Sequence, residues 1–122
     1  MIKVLYIGLG GFIGAILRYL VSVEAAKYID SKLPAGTLIV NILGGLLIGF
    51  IMQLTKDSNV ISDELKLFLT TGLMGGLTTF STFSYETVNL FSREHYLLAG
   101  INILLNVLLS ILGVVIGIKI CK

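Results

Sequence analysis

Ten consecutive residues, Gly75-Gly76-Leu77-Thr78-Thr79-Phe80-Ser81-Thr82-Phe83-Ser84, hold five hydroxyl side chains, a glycine pair and two phenylalanines three apart. They lie inside a long apolar segment, where a membrane helix ordinarily runs uninterrupted. Non-helical backbone at membrane depth is tolerated only where protein buries it or where it lines a wet cavity. A helix broken beside small polar groups therefore points to an ion site. Glycine leaves helical geometry at low steric cost, and a break frees carbonyls on the leading half and N–H groups on the trailing half. Gly75 and Thr78 bracket the expected break, so their carbonyls are the candidate cation ligands. Gly72, Gly75 and Gly76 equally make a close helix-packing face. The adjacent hydroxyls tip the reading toward a break.

Phe80 and Phe83, spaced i, i+3, share one face of the trailing half-helix. That spacing usually means core or lipid contact. The functional reading uses the ring edges, which are electropositive and can hold a small anion weakly enough to release it again, as conduction requires. Ser81, Thr82 and Ser84 interleave with the rings, where their hydroxyls either donate to a dehydrated anion or bond back to the helix carbonyls. The amide of Asn41 either donates to an anion or bridges two helices. Asn102, Asn106 and Ser110 form a stripe at i, i+4, i+8, which serves either as an interhelical seam or as an ion-facing wall. Arg18 sits near the end of its apolar segment, where it anchors the helix, pairs with an acid or concentrates anions at a vestibule. Glu86 is its expected partner or a vestibule carboxylate.

These groups need elements to carry them, and composition says which. The 122 residues are 56% hydrophobic and 13% charged, with mean hydropathy +0.99, far too apolar for a soluble domain of this length. Four apolar segments, residues 4–23, 36–54, 65–91 and 97–118, each approach or exceed the ~20 helical residues that cross a hydrocarbon core. The expected fold is all-α: a single four-helix transmembrane domain over residues 1–122, with the third helix broken near its middle. The first segment is too long for a signal peptide and contains Arg18. Glu24–Pro34 is expected to lie along the interface, Lys56–Asp63 to form a plain loop, and Ser92–His95 to make a tight antiparallel connection.

Four spans place Lys3, Lys56, Lys66, Lys119 and Lys122 on one side and Lys27, Lys32 and Arg93 on the other. Such a weak bias suits insertion in both orientations as well as in one. One thin four-helix bundle also encloses little volume for Arg18, Asn41, Glu86, Asn102 and Asn106, and an oligomer supplies the interior that polar groups at membrane depth require.

The residues are similar to those of the small fluoride channels of the Fluc/CrcB family, along the whole chain. The likeness includes Gly11-Phe12-Ile13-Gly14 with Arg18-Tyr19, Gly36-Thr37-Leu38 with Val40-Asn41, and most specifically Gly72 through Phe83. The resemblance implies a multi-pass protein in the cytoplasmic membrane of a prokaryote, an antiparallel dual-topology homodimer that exports fluoride passively through two pores. It implies that Asn41, Phe80 and Phe83 line those pores, with a pore wall near Ser110. It further implies a structural Na⁺, not transported, held by the carbonyls of Gly75 and Thr78 from both subunits.

Two other classes compete. A small multidrug exporter is also a dual-topology dimer of short spans, but it would want a carboxylate near the midplane, and the first segment holds Arg18 and no acid. A structural membrane subunit would use the glycine faces and the Asn stripe for packing alone. His95 and Cys121 are the only residues of their types, so histidine clusters and intrachain disulfides are excluded. No nucleophile–base pair or phosphate loop argues for an enzyme. A net charge of +2 without a basic run gives nucleic acid nothing to bind; the partners expected are a second copy, lipid and the ion.

Overall fold

A computed structural model describes residues 1–29, 32–56 and 60–121. Among these residues all regular structure is helical: α1 (Ile2–Tyr28), α2 (Ala35–Leu54), α3 (Asp63–Leu67), a π-helical stretch (Phe68–Met74), α4 (Gly75–Leu77), α5 (Ser81–Ser92) and α6 (Tyr96–Cys121). Three of them, α1, α2 and α6, are long and apolar enough to cross a membrane. The third apolar segment is divided among α3, the π stretch, α4 and α5.

Polarity is inverted relative to a soluble domain. Leu9, Phe12, Leu104 and Leu108 are exposed, whereas Thr37, Thr87, Asn102 and Asn106 are buried. Water would reverse that arrangement, and hydrocarbon favours it. A small apolar core of Val40, Ile51, Met74 and Leu77 lies between α2 and the third segment.

Small residues set the helix pairing. A Cβ on Gly72 would lie 2.7 Å from the Ile7 carbonyl oxygen, and one on Gly76 would lie 2.6 Å from that of Gly11. The α1 backbone therefore packs directly on the π stretch and α4, in parallel, since the paired residue numbers rise together. Along α2 and α6, Asn41 meets Asn106, Gly45 meets Ser110 and Gly49 meets Val114. The constant offset makes α2 and α6 parallel as well. Gly36 abuts Ser22, which closes α1 and α2 as an antiparallel hairpin. The Phe91–Tyr96 ring pair and the Thr87–Asn102 hydrogen bond do the same for α5 and α6.

Local chemistry moves several expected boundaries. The Glu24–Lys27 ion pair at 3.1 Å lies on α1, which continues to Tyr28 where an interfacial piece was expected to begin. Asp30 of that piece, and Asp57, Ser58 and Asn59 of the next loop, lie outside the described residues. Ser62 starts α3 by accepting from the Leu65 N–H at 3.1 Å. The turn before α6 uses Glu94 at φ 63°, with the His95 N–H returning to the Leu90 carbonyl.

The glycine pair is the main correction. Gly75 has helical torsions (φ −61°, ψ −37°), and α4 runs on to Leu77. The chain leaves helical geometry at Thr78 (φ −92°, ψ 157°) and re-enters it at Ser81. Gly72 and Gly76 serve the packing role against α1. The exit at Thr78 uses extended torsions open to any residue, so it needs no glycine.

Candidate functional site

The gap between α4 and α5 is held by side chains. The Thr78 N–H and hydroxyl both donate to the Met74 carbonyl at 3.0 Å, finishing the leading helix. Thr79 begins the trailing one: its hydroxyl accepts the Thr82 N–H at 3.3 Å and contacts the Thr82 and Ser81 hydroxyls. The Thr79 N–H points away from the helix and donates to Asn41 Oδ1 on α2 at 3.2 Å.

Three carbonyls lose their regular partners as a result. In a continuous α-helix the Thr79 N–H would bond the Gly75 carbonyl and the Thr82 N–H the Thr78 carbonyl, yet both are diverted to side chains. The Gly76 carbonyl takes a different donor, Arg18 Nε at 3.0 Å. Arg18 thus caps the C-terminal end of α4, where a cation is favoured. That position corrects the expected pairing of Arg18 with Glu86, which does not form. Glu86 lies on α5 against Thr37, beside a separate cavity of about 350 Å³ that Ser22 and Gly36 also border. One of its carboxylate oxygens is buried without a hydrogen-bond partner.

A cavity of about 560 Å³ opens beside the gap. Of the residues singled out in the sequence, Asn41, Phe80, Phe83, Asn106, Ser110, Gly75 and Thr78 border it. The Phe80 and Phe83 rings lie 5.6 Å apart, tilted at 57°, within the range of aromatic pair contacts. They differ sharply in surroundings: Phe80 is 78% exposed and Phe83 9%. Ser81, Thr82 and Ser84 lie outside the cavity lining; Ser81 and Thr82 turn to Thr79, and Ser84 back-bonds to the Phe80 carbonyl at 2.9 Å.

Sequence reasoning did not single out Thr79, which ties the gap to α2. It left the Asn stripe open between seam and wall. Asn106 borders the cavity, whereas Asn102 is fully buried behind it. Asn41 Nδ2 donates to Asn106 Oδ1 at 2.8 Å, which joins α2 to α6 beneath the cavity floor. The i, i+4 spacing was the readable signal for this seam; its partner on α2 was not.

Chemically, the cavity is bordered by Asn41 and Asn106, the hydroxyl residues Thr70, Thr78, Thr79 and Ser110, and the rings of Phe80 and Phe83, among aliphatic walls. It holds no charged side chain. Amide and hydroxyl groups are of the kinds that take the place of water around a small ion. The freed carbonyls of Gly75 and Thr78 are hard oxygen donors, of the type that suits Na⁺ in broken membrane helices.

Comparison with known proteins agrees with this architecture. Residues 5–118 match the family model described as CrcB-like protein, Camphor Resistance (CrcB). The "Fluoride-specific ion channel FluC" of Clostridium perfringens is 57% identical over 122 residues, covering 100% of this chain and 95% of that protein. The protein of the same name from Clostridium novyi is 54% identical over 117 residues, covering 96% of this chain and 91% of the relative. The one from the archaeon Methanococcus maripaludis is 52% identical over 108 residues, covering 88% and 85%. A helical chain with apolar outer faces and a polar seam, matched over nearly its whole length by that model and these relatives, is a multi-pass cell-membrane protein that belongs to the CrcB family.

Proposed function

We propose that this chain forms a fluoride-selective channel that lets fluoride leave the cytoplasm passively. The relatives carry that activity in their names, and they are named as channels, not enzymes. The observation that carries the reading is the uncharged cavity beside the α4–α5 gap, where Asn41, Phe80, Phe83 and Ser110 converge. Fluoride is small and strongly hydrated, so its pathway must offer many weak donors in place of water. An amide N–H, a hydroxyl and electropositive ring edges are such donors.

The third span is, on this reading, a broken membrane helix. Because α2 and α6 are parallel, the chain between them has to return across the ~30 Å that a 20-residue helix spans. The pieces α3 through α5 make that crossing, and the Thr78–Phe80 gap lies within it.

The working unit is an antiparallel, dual-topology homodimer. Its support is the weak charge bias, the ring of Phe80 turned out of its own protomer, and a cavity that one chain leaves partly open. A structural Na⁺ fits the same arrangement. The carbonyls of Gly75 and Thr78, from both protomers, would hold it. The ion would supply positive charge that fastens the two gaps together, without being transported.

Fluoride efflux from liposomes that contain only this protein tests the reading. Rapid fluoride release without chloride release is expected. Proton-coupled export of organic cations in place of fluoride would indicate a multidrug exporter, and no transport at all would indicate a structural subunit.

A further inference from the structure

The gap is the start of a chain of five hydrogen bonds that crosses three helices in one direction. The Thr79 N–H donates to Asn41 Oδ1 at 3.2 Å. Asn41 Nδ2 donates to Asn106 Oδ1 at 2.8 Å, and Asn106 Nδ2 to Asn102 Oδ1 at 3.0 Å. Asn102 Nδ2 then donates to the Thr87 hydroxyl at 2.9 Å, and that hydroxyl donates to the Phe83 carbonyl at 2.8 Å. The direction is fixed at both ends by backbone groups of unambiguous polarity. A main-chain N–H can only donate, so the Asn41 atom facing Thr79 is oxygen. A main-chain carbonyl can only accept, so the Thr87 hydroxyl must point its proton at Phe83. The Asn106 amide is pinned a second time, because its nitrogen also donates to the Asn102 main-chain carbonyl at 2.9 Å. No amide in the chain can flip without breaking bonds on both sides.

The bookkeeping of N–H groups then separates two asparagines that both border the cavity. Asn106 gives its nitrogen to two acceptors on Asn102, and its oxygen is taken by Asn41. Its amide has nothing left to donate. Asn41 gives one N–H to Asn106 and, among the described residues, keeps the other. We propose that Asn106, Asn102 and Thr87 are positioning residues: the one-way hydrogen-bond chain locks the Asn41 carboxamide so that Asn41, and not Asn106, offers an N–H to the anion. The proposal rests on the channel reading and deepens it. Thr87 and Asn102 do not border the cavity, so their effect on the ion is indirect, and the Asn41 resonance separates the asparagine route from the direct Thr87–Phe83 contact. The bond that Asn41 Oδ1 accepts from the Thr79 N–H also polarises the Asn41 amide, which strengthens its remaining N–H as a donor. The alternative is ordinary interhelical glue, in which the bonds hold α2, α5 and α6 together and their direction is immaterial.

The test uses the full chain, labelled with ¹⁵N-asparagine, in detergent for spectra and in liposomes for flux. Thr87→Val keeps the shape and removes the hydroxyl; Thr87→Ser keeps the hydroxyl. The expected result is that Thr87→Val shifts the side-chain resonance of Asn41 and lowers fluoride efflux about tenfold, the effect of losing one well-placed hydrogen bond, whereas Thr87→Ser preserves both. An Asn41 resonance unmoved in assembled Thr87→Val overturns the proposal, as does an equal flux loss in Thr87→Ser. If Thr87→Val does not assemble, the parent protein decides alone. Added fluoride should shift the Asn41 side-chain N–H and leave the Asn106 N–H groups slow to exchange; a larger response at Asn106 overturns the proposal. The Asn41 resonance is read in fluoride-free buffer too, so a parent protein that releases no fluoride refutes the channel reading without deciding the fate of the relay.

Discussion

Phe80 and Phe83 are three positions apart, but Phe80 stands in the gap and Phe83 on α5, and their rings have different surroundings. Phe83 is packed within the chain, and Phe80 projects out of it. Phe→Ile keeps apolar bulk and removes the ring edge. Phe83→Ile should therefore cost about 1 kcal/mol of stability, as a roughly volume-conserving core change, whereas Phe80→Ile should cost the protomer little. Both variants should assemble and lose most fluoride efflux, measured beside their size-exclusion profiles. Parent-level flux in either assembled variant would return that ring to packing alone. Asn41→Asp is the sharper change. The new carboxylate still accepts the Thr79 N–H, but it faces the Asn106 oxygen as a second acceptor and repels an anion at short range in a poorly screened cavity. Fluoride efflux should fall to background, and assembly should be weakened as well.

Residue types were readable in the sequence where their chemistry is unusual for a membrane segment. Asn41, Phe80, Phe83 and Ser110 were named that way, and they border one cavity. Thr79 was not, because its role lies in a main-chain N–H, and that group is the same in every residue but proline. The Arg18 contact with the Gly76 carbonyl was hidden for the same reason: a freed carbonyl leaves no mark on residue type.

At the scale of elements, the third apolar segment shows how one composition serves two purposes. Its glycines were read as the break, with the hydroxyls deciding against packing. In the structure Gly72 and Gly76 bring α1 into backbone contact, and the gap opens two residues later at Thr78. A run of small and hydroxyl residues marks the region but not the bond at which the helix stops. That choice belongs to tertiary partners, here Asn41 and Arg18. The π-helical stretch from Phe68 to Met74 had no sequence signal at all. Such stretches are rare, are used mostly as short bulges and frequently lie at functional sites; here it leads directly into the gap. Gly76→Ala tests the packing assignment. Its methyl group would meet the main-chain oxygen of Gly11 at 2.6 Å, which a rotamer change cannot relieve. Thermal unfolding in detergent should show a loss of about 2 kcal/mol, in the range of overpacked cores. Unchanged stability would mean that α1 and α4 are not held this closely.

The whole molecule was legible from hydropathy in outline: four apolar segments and short connectors, all helical. That its polar residues turn inward was expected from their place at membrane depth, and the structure agrees on which face of α6 does so. Burial of Asn102 and Asn106, with Leu104 and Leu108 outside, settles that face. The cation balance of five against three leaves insertion undecided, and the proposed homodimer requires both orientations. Cysteine placed in the Ser92–His95 connection, with Cys121 replaced by serine, should be labelled by a membrane-impermeant reagent from either side of the membrane. Labelling from one side alone would contradict the antiparallel dimer.

The most direct measurement of the central claim is the current through the purified protein in a planar bilayer, with unequal fluoride on the two sides and chloride making up the difference. An uncharged cavity that substitutes for fluoride hydration predicts a passive current that reverses at the fluoride equilibrium potential and vanishes when fluoride is replaced by chloride on both sides. A current carried by chloride or Na⁺, or no current from protein that is folded and assembled, would contradict the account.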